Sequence, residues 1–377
     1  MKGATTLSIR KLLPSWGGII GSVGQVQDIT VLPLPSSSLG KRFTLTVGSL
    51  FNGHGRMKAA LDRLIHRMTT PHAVGICGIG QIGLALALSC YRAEYRVFLF
   101  GRAPEKLDPA RQEFEKLDQW LNLNFPEDVP RYGEIEFVSD LRQLDRDADL
   151  VIEGIAENLP AKVELFKSLG CAAARGAIFC TTTSGLSITE MGRMVGHASH
   201  LVGTHFWNPP HLMPLVEVIA GANTSDTVMD IAIMFCRSIG KKPVRVNADV
   251  PGFIGNRMLH ALWREAIDLV ERGIASPEDV DTVAKLTFGL RMPVIGPLEN
   301  MDVVGLDLIR TIHDYLLPRI AHNAEPSRLL NEHVSSGRLG IKSGQGFYDW
   351  KRRNSAELIE ARDHQIIREL KRAASER

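Results

Sequence analysis

The sequence is poor in cysteine, and its few cysteines form neither a metal-binding nor a disulfide pattern. Their number is odd and their spacing differs from that of zinc ligands; they are Cys77, Cys90, Cys171, Cys180 and Cys236. Two of them, Cys77 and Cys180, lie inside apolar runs typical of strands. We therefore predict reduced, mostly buried cysteines and no bound metal.

The sequence also has little that resembles a membrane span. Its most apolar window, residues 73–90, contains four glycines and a glutamine. A strand, a turn and a helix explain this window better than a continuous transmembrane helix does. We expect no membrane partner.

Beyond residue 67 the chain has no excess of positive charge. Residues 1–67 carry nine Lys/Arg and two Asp, a net +7, whereas the remaining 310 residues carry 35 basic and 40 acidic side chains. Binding to a phosphate backbone requires clustered positive charge. We therefore expect no nucleic-acid partner.

The basic first 67 residues show little periodicity, and three interpretations stay open. They are a targeting leader, a disordered arm, or an extension produced by a start site assigned too early. Met68 begins MTTPHAVGIC, a short natural approach to a strand, which favours the extension. We expect a cytoplasmic protein, with a mitochondrial leader as the alternative.

The stretch HAVGICGIGQIG, residues 72–83, predicts a dinucleotide-binding turn. An apolar run ends in glycines, and an apolar helical pattern follows at once. The first glycine permits the tight turn, the second lets a pyrophosphate approach the backbone, and the third allows close packing, while the helix N-terminus attracts phosphate. Because both flanking elements are present, we favour this interpretation over a purely structural turn, with the cofactor bound by Gly78, Gly80, Gln81, Ile82 and Gly83.

No acidic side chain follows the second strand, expected over residues 95–100. NAD-binding proteins place a carboxylate there against the ribose 2′-hydroxyl. Here Gly101 and Arg102 occupy that point, and an arginine can pair with a 2′-phosphate. The cofactor is therefore NAD or NADP, with NADP slightly favoured, although a solvated arginine is the alternative.

The order of the expected elements predicts an α/β fold. After the glycine turn, strands alternate with helices, which is typical of a parallel, doubly wound sheet. Further strands are expected over 135–139, 149–155, 177–182, 201–206, 215–219 and 243–247, and one helix over 161–174. Ligands of such sheets lie beyond the carboxyl ends of the strands, where Ser184 and His205 stand.

The pattern changes to helical near residue 249. Helices are expected over 252–273, from 277, and over 298–320, although Gly305 weakens the last one. We predict a Rossmann-like doubly wound sheet followed by an all-helical C-terminal domain. The predicted parts are a leader or extension (1–67), a dinucleotide-binding domain (68–248), a helical C-terminal domain (249–350) and a charged helical tail (351–377).

Seven motifs in order make residues 72–350 resemble the L-3-hydroxyacyl-CoA dehydrogenase family. Agreement in seven places is far more specific than any single motif. They are the glycine turn, VIEGIAENLPAKVELFKSL, TTTSGLSIT, GTHFWNPPHLMPLVEVI, DVPGFIGNRML, GPLENMDVVGLD and GIKSGQGFYDW.

The resemblance implies an oxidoreductase that passes hydride between a nicotinamide and a 3-hydroxyacyl substrate. Oxidation of a secondary alcohol needs a base for the hydroxyl proton, and an imidazole suits this task. The resemblance gives this role to His205, and to Glu217 the role of orienting and stabilising the imidazole. The alternatives are a core histidine and a glutamate on the surface of an edge strand.

Other residues receive roles by the same resemblance. Ser184 and Asn256 would hold the reacting oxygen, although either could instead be an ordinary capping or helix residue. The resemblance also implies a homodimer. Contacts with the dinucleotide would come from Glu157, Lys162, Asn208 and Lys342, of which Lys162 could equally be a solvated helix lysine.

One segment departs from the family pattern. Residues 102–134, which follow the second strand, carry five basic and eight acidic side chains, a net −3. This charge is poorly suited to the polyphosphate of CoA. The substrate expected first is an L-3-hydroxyacyl-CoA; a free 3-hydroxy acid or a carnitine-like molecule is the alternative, and a non-catalytic dinucleotide-binding protein is a third hypothesis.

Overall fold

The computed structural model of the chain describes residues 5–7, 29–33, 43–45 and 71–375. The chain divides into two compact units, residues 1–251 and 252–377. Three strands of the first unit form a small antiparallel sheet in the order β1-β2-β3; they are β1 (Thr5–Leu7), β2 (Ile29–Pro33) and β3 (Phe43–Leu45). Apart from these strands, the predictions on residues 1–67 lie outside the described residues.

An eight-stranded sheet forms the centre of the first unit, in the order β11-β10-β9-β8-β7-β4-β5-β6. Its strands are β4 (Ala73–Cys77), β5 (Arg96–Phe100), β6 (Glu134–Val138), β7 (Leu150–Glu153), β8 (Ile178–Thr181), β9 (Leu201–Phe206), β10 (Leu215–Ile219) and β11 (Lys242–Val246).

Seven α-helices connect or flank these strands. They are α1 (Gln81–Tyr91), α2 (Leu107–Asn124), α3 (Leu141–Asp147), α4 (Leu159–Lys167), α5 (Gly170–Ala174), α6 (Ile188–Val195) and α7 (Asp226–Ser238), with single 3₁₀ turns at Pro104–Lys106 and Ala198–His200.

The central strands are buried along their whole length. All residues of β4, β7, β8 and β9 are buried, as expected for parallel strands covered on both faces, which read as continuous apolar runs. The predicted Rossmann-like doubly wound sheet is thereby confirmed.

Two details of the first unit differ from the sequence-based expectation. Strand β10 pairs antiparallel with β9, because the eight residues 207–214 between them are too few for the crossover that a parallel pair needs. The helix expected over 161–174 is two helices, α4 and α5, which are separated at Ser168–Leu169.

The second unit is helical, as predicted. Its helices are α8 (Gly255–Glu271), α9 (Pro277–Leu286), α10 (Phe288–Arg291), α11 (Pro297–Val304), α12 (Leu306–Leu316), α13 (Arg328–Ser335) and α14 (Ser355–Ser375), with 3₁₀ turns at Leu317–Arg319 and Ile341–Ser343. The single helix expected over 298–320 is divided, because Gly305 adopts φ +101° and ends α11 before α12 begins.

The second unit leaves many apolar side chains exposed. None of the residues in helices α8 to α12, all of which are described, is buried. Leu290 is 72% exposed and Val294 79%. In the described part of the chain, no helix has the length and apolar character needed to cross a membrane.

Candidate active site

The carboxyl ends of the four neighbouring parallel strands β5, β4, β7 and β8 bring the turns that follow them to one end of the sheet. The backbone N–H of Gly78, after β4, donates to Phe100 of β5 at 2.9 Å, and the N–H of Gly154, after β7, donates to Cys77 at 2.9 Å. The N–H of Thr182, after β8, donates to Glu153 at 3.1 Å. The turns that follow β4, β7 and β8 are therefore adjacent.

The glycine turn has the geometry that its sequence predicts. Gly78 adopts φ +120°, and a Cβ there would lie 2.5 Å from the carbonyl oxygen of Gly154. A Cβ on Gly83 would lie 1.8 Å from the carbonyl oxygen of Gly78, whereas one on Gly80 would meet nothing within 4 Å. Only glycine fits the first and third positions, and the second leaves its backbone open.

The N-terminus of α1 suits a phosphate group. The helix begins at Gln81 with Gly80 as N-cap, has no side-chain cap, and carries no acidic residue in its first turn. Its first N–H groups and its dipole therefore have no competing carboxylate from the helix itself. Ile82 is half-buried beside them. The residues present fit a dinucleotide, and their contact with it remains a prediction.

Gly101 is confined by the turn it follows. A Cβ there would lie 3.0 Å from Ile79 Cδ1 and 3.0 Å from Leu107 Cδ2. A larger side chain at this position would therefore require small shifts of the Ile79 and Leu107 side chains. Arg102 follows and is exposed.

Glu157 links the turn after β7 to the turn after β8. Its Oε1 accepts hydrogen bonds from the Thr183 hydroxyl and, at 3.0 Å, from the backbone N–H of Ser184. These hydrogen bonds and the Lys162 ammonium lower the pKa of Glu157 against the opposing effect of its partial burial. The hydrogen bond from the Ser184 backbone N–H to Glu157 holds the turn that carries Ser184.

Lys162 lies inside the protein rather than on a solvated helix face. Its side chain is 1% exposed, and its Nζ lies 2.6 Å from Glu153 Oε1 and 3.3 Å from Glu157 Oε2. Glu153 is fully buried and also accepts from the Thr181 hydroxyl at 2.8 Å and the Ile155 N–H at 2.8 Å. The solvated alternative for Lys162 is thus wrong, and its contact with a nucleotide remains a prediction.

Glu153 is a site residue that the sequence analysis missed. The available signal was a glutamate at the end of the otherwise apolar strand LVIE. A buried carboxylate requires a charged or hydrogen-bonding partner. Glu153 meets this requirement with Lys162, nine residues along the chain.

His205 and Glu217 form a buried pair on adjacent strands. They are direct partners in the antiparallel register of β9 and β10. His205 Nδ1 lies 2.8 Å from Glu217 Oε2, and the two residues are 4% and 1% exposed. The alternative of a surface glutamate is therefore wrong.

The hydrogen bond to Glu217 determines which ring nitrogen of His205 carries the proton. A carboxylate can only accept a hydrogen bond, so Nδ1 carries the proton and Nε2 is the nitrogen able to take a proton from a substrate. The indole of Trp207 lies against the ring, with 5.2 Å between ring centroids. Such an imidazole can act as a general base, and its protonated form as a general acid.

The remaining candidates lie in a loop and in the second unit. Asn208 is exposed and is the second residue of the loop 207–214 that follows β9. Asn256 lies in the first turn of α8 and Lys342 in the 3₁₀ turn Ile341–Ser343, both in the second unit. Among the residues that the structure describes, no group of His, Cys, Asp or Glu is arranged to hold a metal ion.

Two family models together match almost the whole chain after residue 72. The model described as "3-hydroxyacyl-CoA dehydrogenase, NAD binding domain" matches residues 73–250. The model described as "3-hydroxyacyl-CoA dehydrogenase, C-terminal domain" matches residues 252–350.

Known relatives agree with these family matches. A 5-formyl-3-hydroxy-2-methylpyridine 4-carboxylate 5-dehydrogenase from Mesorhizobium japonicum is 32% identical over 78% of this chain and 96% of its own length. A probable 3-hydroxybutyryl-CoA dehydrogenase from Deinococcus radiodurans is 37% identical over 73% of this chain and 99% of its own. One solved structure is of a 5-formyl-3-hydroxy-2-methylpyridine 4-carboxylic acid 5-dehydrogenase, described as an NAD+-dependent dismutase. It has a TM-score of 0.73 at 32% identity, and the match covers 78% of this chain and 96% of that chain.

Proposed function

This chain belongs to the 3-hydroxyacyl-CoA dehydrogenase family, and we propose that it transfers hydride between a nicotinamide dinucleotide and an L-3-hydroxyacyl-CoA/3-oxoacyl-CoA pair. The observation that carries the proposal is the buried His205–Glu217 pair, with 2.8 Å between Nδ1 and the carboxylate. Such a pair supplies the base that oxidation of a CH–OH group requires.

In the proposed reaction His205 moves the proton. In the oxidative direction its Nε2 takes the hydroxyl proton of the substrate, and in the reductive direction the imidazolium returns it to the carbonyl oxygen. Glu217 stabilises the imidazolium through Nδ1–H and holds the ring orientation. The bound nicotinamide supplies the acceptor or donor of hydride at the substrate carbon.

Ser184 is proposed to bind the reacting oxygen. Its backbone N–H is tied to Glu157 at 3.0 Å, which fixes the turn from which its hydroxyl extends. A hydrogen bond from a fixed donor stabilises charge that develops on the oxygen. Asn256 receives the same role by resemblance only, since it belongs to the other unit.

Several residues are proposed to bind the dinucleotide. The glycine turn and the N-terminus of α1 would take the pyrophosphate. Glu157 and Lys162, whose charged groups lie 3.3 Å apart, are proposed to contact the nucleotide as the resemblance implies. Asn208 and Lys342 stay in this set on the strength of the resemblance.

The choice between NAD and NADP depends on Arg102. Its exposed position directly after Gly101 favours a modest preference for NADPH. Replacing Arg102 by Ser would then raise the KM for NADPH and leave that for NADH nearly unchanged. Equal effects on both cofactors would contradict this assignment.

A second candidate is a dehydrogenase for a free hydroxy acid or a carnitine-like substrate. It is favoured by the net −3 of residues 102–134, most of which form α2. The Mesorhizobium japonicum relative is named for a pyridine carboxylate and not for a CoA thioester.

Initial rates with matched substrates separate these two candidates. The purified full chain is assayed with acetoacetyl-CoA and with free acetoacetate, each with NADH and with NADPH. The first proposal predicts a higher kcat/KM for the thioester, and the second predicts the reverse. Tight dinucleotide binding without turnover of either class of 3-oxo compound would favour the non-catalytic hypothesis.

Exposed apolar side chains on the helices of the second unit support a homodimer. Leu286, Leu290 and Leu298 are each more than 60% exposed, at 67%, 72% and 74%. Clustered exposed apolar side chains are typical of protein interfaces. We propose that a second copy of the chain covers these side chains, as the family resemblance implies.

A further inference from the structure

The structure assigns a positioning role to Lys241, which we infer fixes the loop between the strands of the proposed catalytic pair. This inference rests on the proposed function, because it concerns the same site. Lys241 lies between α7 and β11 and is only 8% exposed. The mechanism above gives it no part.

The ammonium group of Lys241 binds one loop at two points. Its Nζ donates to the carbonyl oxygen of Pro210 at 2.6 Å and to that of Met213 at 3.1 Å. Both acceptors belong to the loop of residues 207–214, which joins β9 to β10. His205 lies two residues before this loop, and Glu217 lies three residues after it.

The loop is short of hydrogen-bond donors of its own. Its sequence is WNPPHLMP, and three of these eight residues are prolines, which have no backbone N–H. Within it, the N–H groups of Leu212 and Met213 both donate to Pro209. Buried carbonyl groups need donors, so those of Pro210 and Met213 depend on a donor from outside the loop.

No carboxylate balances the charge of Lys241. None lies within ion-pair distance of its Nζ in the part of the chain that the structure describes. The nearby thiols of Cys90 and Cys236 stay protonated, because burial raises the pKa of each, that of Cys236 to about 12. Burial lowers the pKa of Lys241 to about 8, so the ammonium predominates at pH 7. Its hydrogen bonds go to the two loop carbonyl groups.

Burial of an ammonium group at this position has a large desolvation free-energy cost. An apolar chain of similar length would pack beside the two thiols without the cost of desolvating a charge. What an apolar chain cannot do is hold two carbonyl groups at fixed positions. The loop contains Trp207, whose indole lies against the His205 ring, and Asn208, the next residue in the chain. The conformation of the loop therefore affects the position of the reacting groups.

The test compares Lys241→Met with Lys242→Met in the full chain. Lys242 is the matched control, because it is the adjacent lysine, its side chain is exposed, and its backbone N–H still donates to Pro214. Three quantities are measured: amide hydrogen exchange of residues 207–214, turnover per dinucleotide-binding site, and dinucleotide affinity. Counting only sites that bind dinucleotide removes any loss caused by incomplete folding.

We expect Lys241→Met to accelerate exchange in the loop and to lower turnover per site about 10- to 100-fold, since small displacements of reacting groups cost this much. Dinucleotide affinity should change less than about threefold, because the glycine turn is elsewhere on the sheet edge. Lys242→Met should match the wild type in all three quantities. Lys241→Gln, whose amide can donate two hydrogen bonds, should recover part of the lost turnover, and it replaces Lys241→Met if that variant does not fold.

Wild-type exchange and turnover in Lys241→Met would overturn the positioning role. Lower stability with unchanged turnover per site would overturn it as well, since it would show a purely structural lysine. If the wild-type chain turns over no hydroxyacyl substrate, the proposed function fails, yet the exchange of residues 207–214 still decides whether Lys241 holds the loop.

Discussion

The two units of this chain differ in where they place their apolar and charged side chains. In the first unit the central strands are buried on both faces, and charged groups such as Glu153 and Lys162 are buried as a pair. In the second unit helices α8 to α12, which lie within the described residues, contribute no buried residue, and apolar side chains such as Leu290 are exposed. The first unit thus carries the proposed base and the glycine turn, whereas the second unit carries exposed apolar side chains that we propose a second copy of the chain covers.

Replacing His205 by Ala should have the largest effect, and it tests whether the chemistry belongs to the first unit. Loss of a general base lowers turnover by about 10²–10⁴-fold. Dinucleotide affinity should stay nearly unchanged, because the glycine turn is intact. The control is His200→Ala, close to the opposite end of β9, which should keep wild-type turnover. Near-wild-type turnover of the His205 variant would contradict the proposed role of His205 as the base.

Glu153→Gln tests whether the buried ion pair is essential to the first unit. It leaves the Lys162 ammonium without its closest carboxylate, and breaking one partner of a buried pair costs about 3–5 kcal/mol. Chemical denaturation measures the free energy of unfolding. Glu134→Gln is the control, since the Glu134 side chain is 79% exposed.

The double variant Glu153→Gln/Lys162→Met sharpens this result. Because it removes both charges, it should be more stable than Glu153→Gln alone. Equal stability of the wild type and the Glu153 variant would show that the pair contributes nothing.

Leu290→Asp tests the covering surface of the second unit. A charge at a position that is 72% exposed in one copy should disfavour a dimer that buries it. Sedimentation velocity should then show a shift toward half the wild-type mass. Leu123→Asp, at an 80% exposed leucine of the first unit, is the matched control and should not change the mass. A wild-type sedimentation profile for Leu290→Asp would argue against an interface at this position.

The smallest expected effect is on the stability of the folded chain, and it concerns Glu157 of the first unit. Its pKa is lowered in the folded chain by its bonds to Thr183, Lys162 and Ser184. A carboxylate whose pKa is lowered by folding stabilises the folded chain. This contribution is complete above the unfolded pKa, about 4.5, and is lost as the pH falls through the lower folded pKa. Solvent screening keeps this contribution small, since the side chain is 46% exposed.

Melting temperatures of the wild type and Glu157→Gln test this pH dependence. The wild type should melt slightly higher at pH 7, and the difference should shrink once the pH is below about 4.5 and vanish below the lowered folded pKa. A difference that persists or grows in acid would contradict the assignment.

The sequence predicted those parts of the molecule that local patterns encode. The glycine turn, the strand and helix order and the division of labour between His205 and Glu217 follow from residues close together in the chain or from motifs. Gly305 was signalled as a weak point of the expected helix, but its φ of +101°, which divides that helix in two, was not predicted.

Contacts between distant residues were not predictable in this way. Nothing local shows that Glu153 faces Lys162, or that Lys241 reaches Pro210, 31 residues earlier. These contacts depend on how the sheet brings its edges together, which is a property of the whole unit. The antiparallel return of β10, in contrast, was predictable, because the eight residues between the expected strands 201–206 and 215–219 are too few for a parallel crossover.

Transfer of a labelled hydride is the most direct test of the central claim. Reduced nicotinamide dinucleotide carrying deuterium at both C4 positions is incubated with the purified chain and acetoacetyl-CoA or free acetoacetate, and the product is analysed by mass spectrometry and NMR. We expect one deuterium on carbon 3 of the 3-hydroxy product, formed by the wild type at least about 10²-fold faster than by His205→Ala. Absence of labelled product from the wild type with either class of substrate, despite dinucleotide binding, would contradict it.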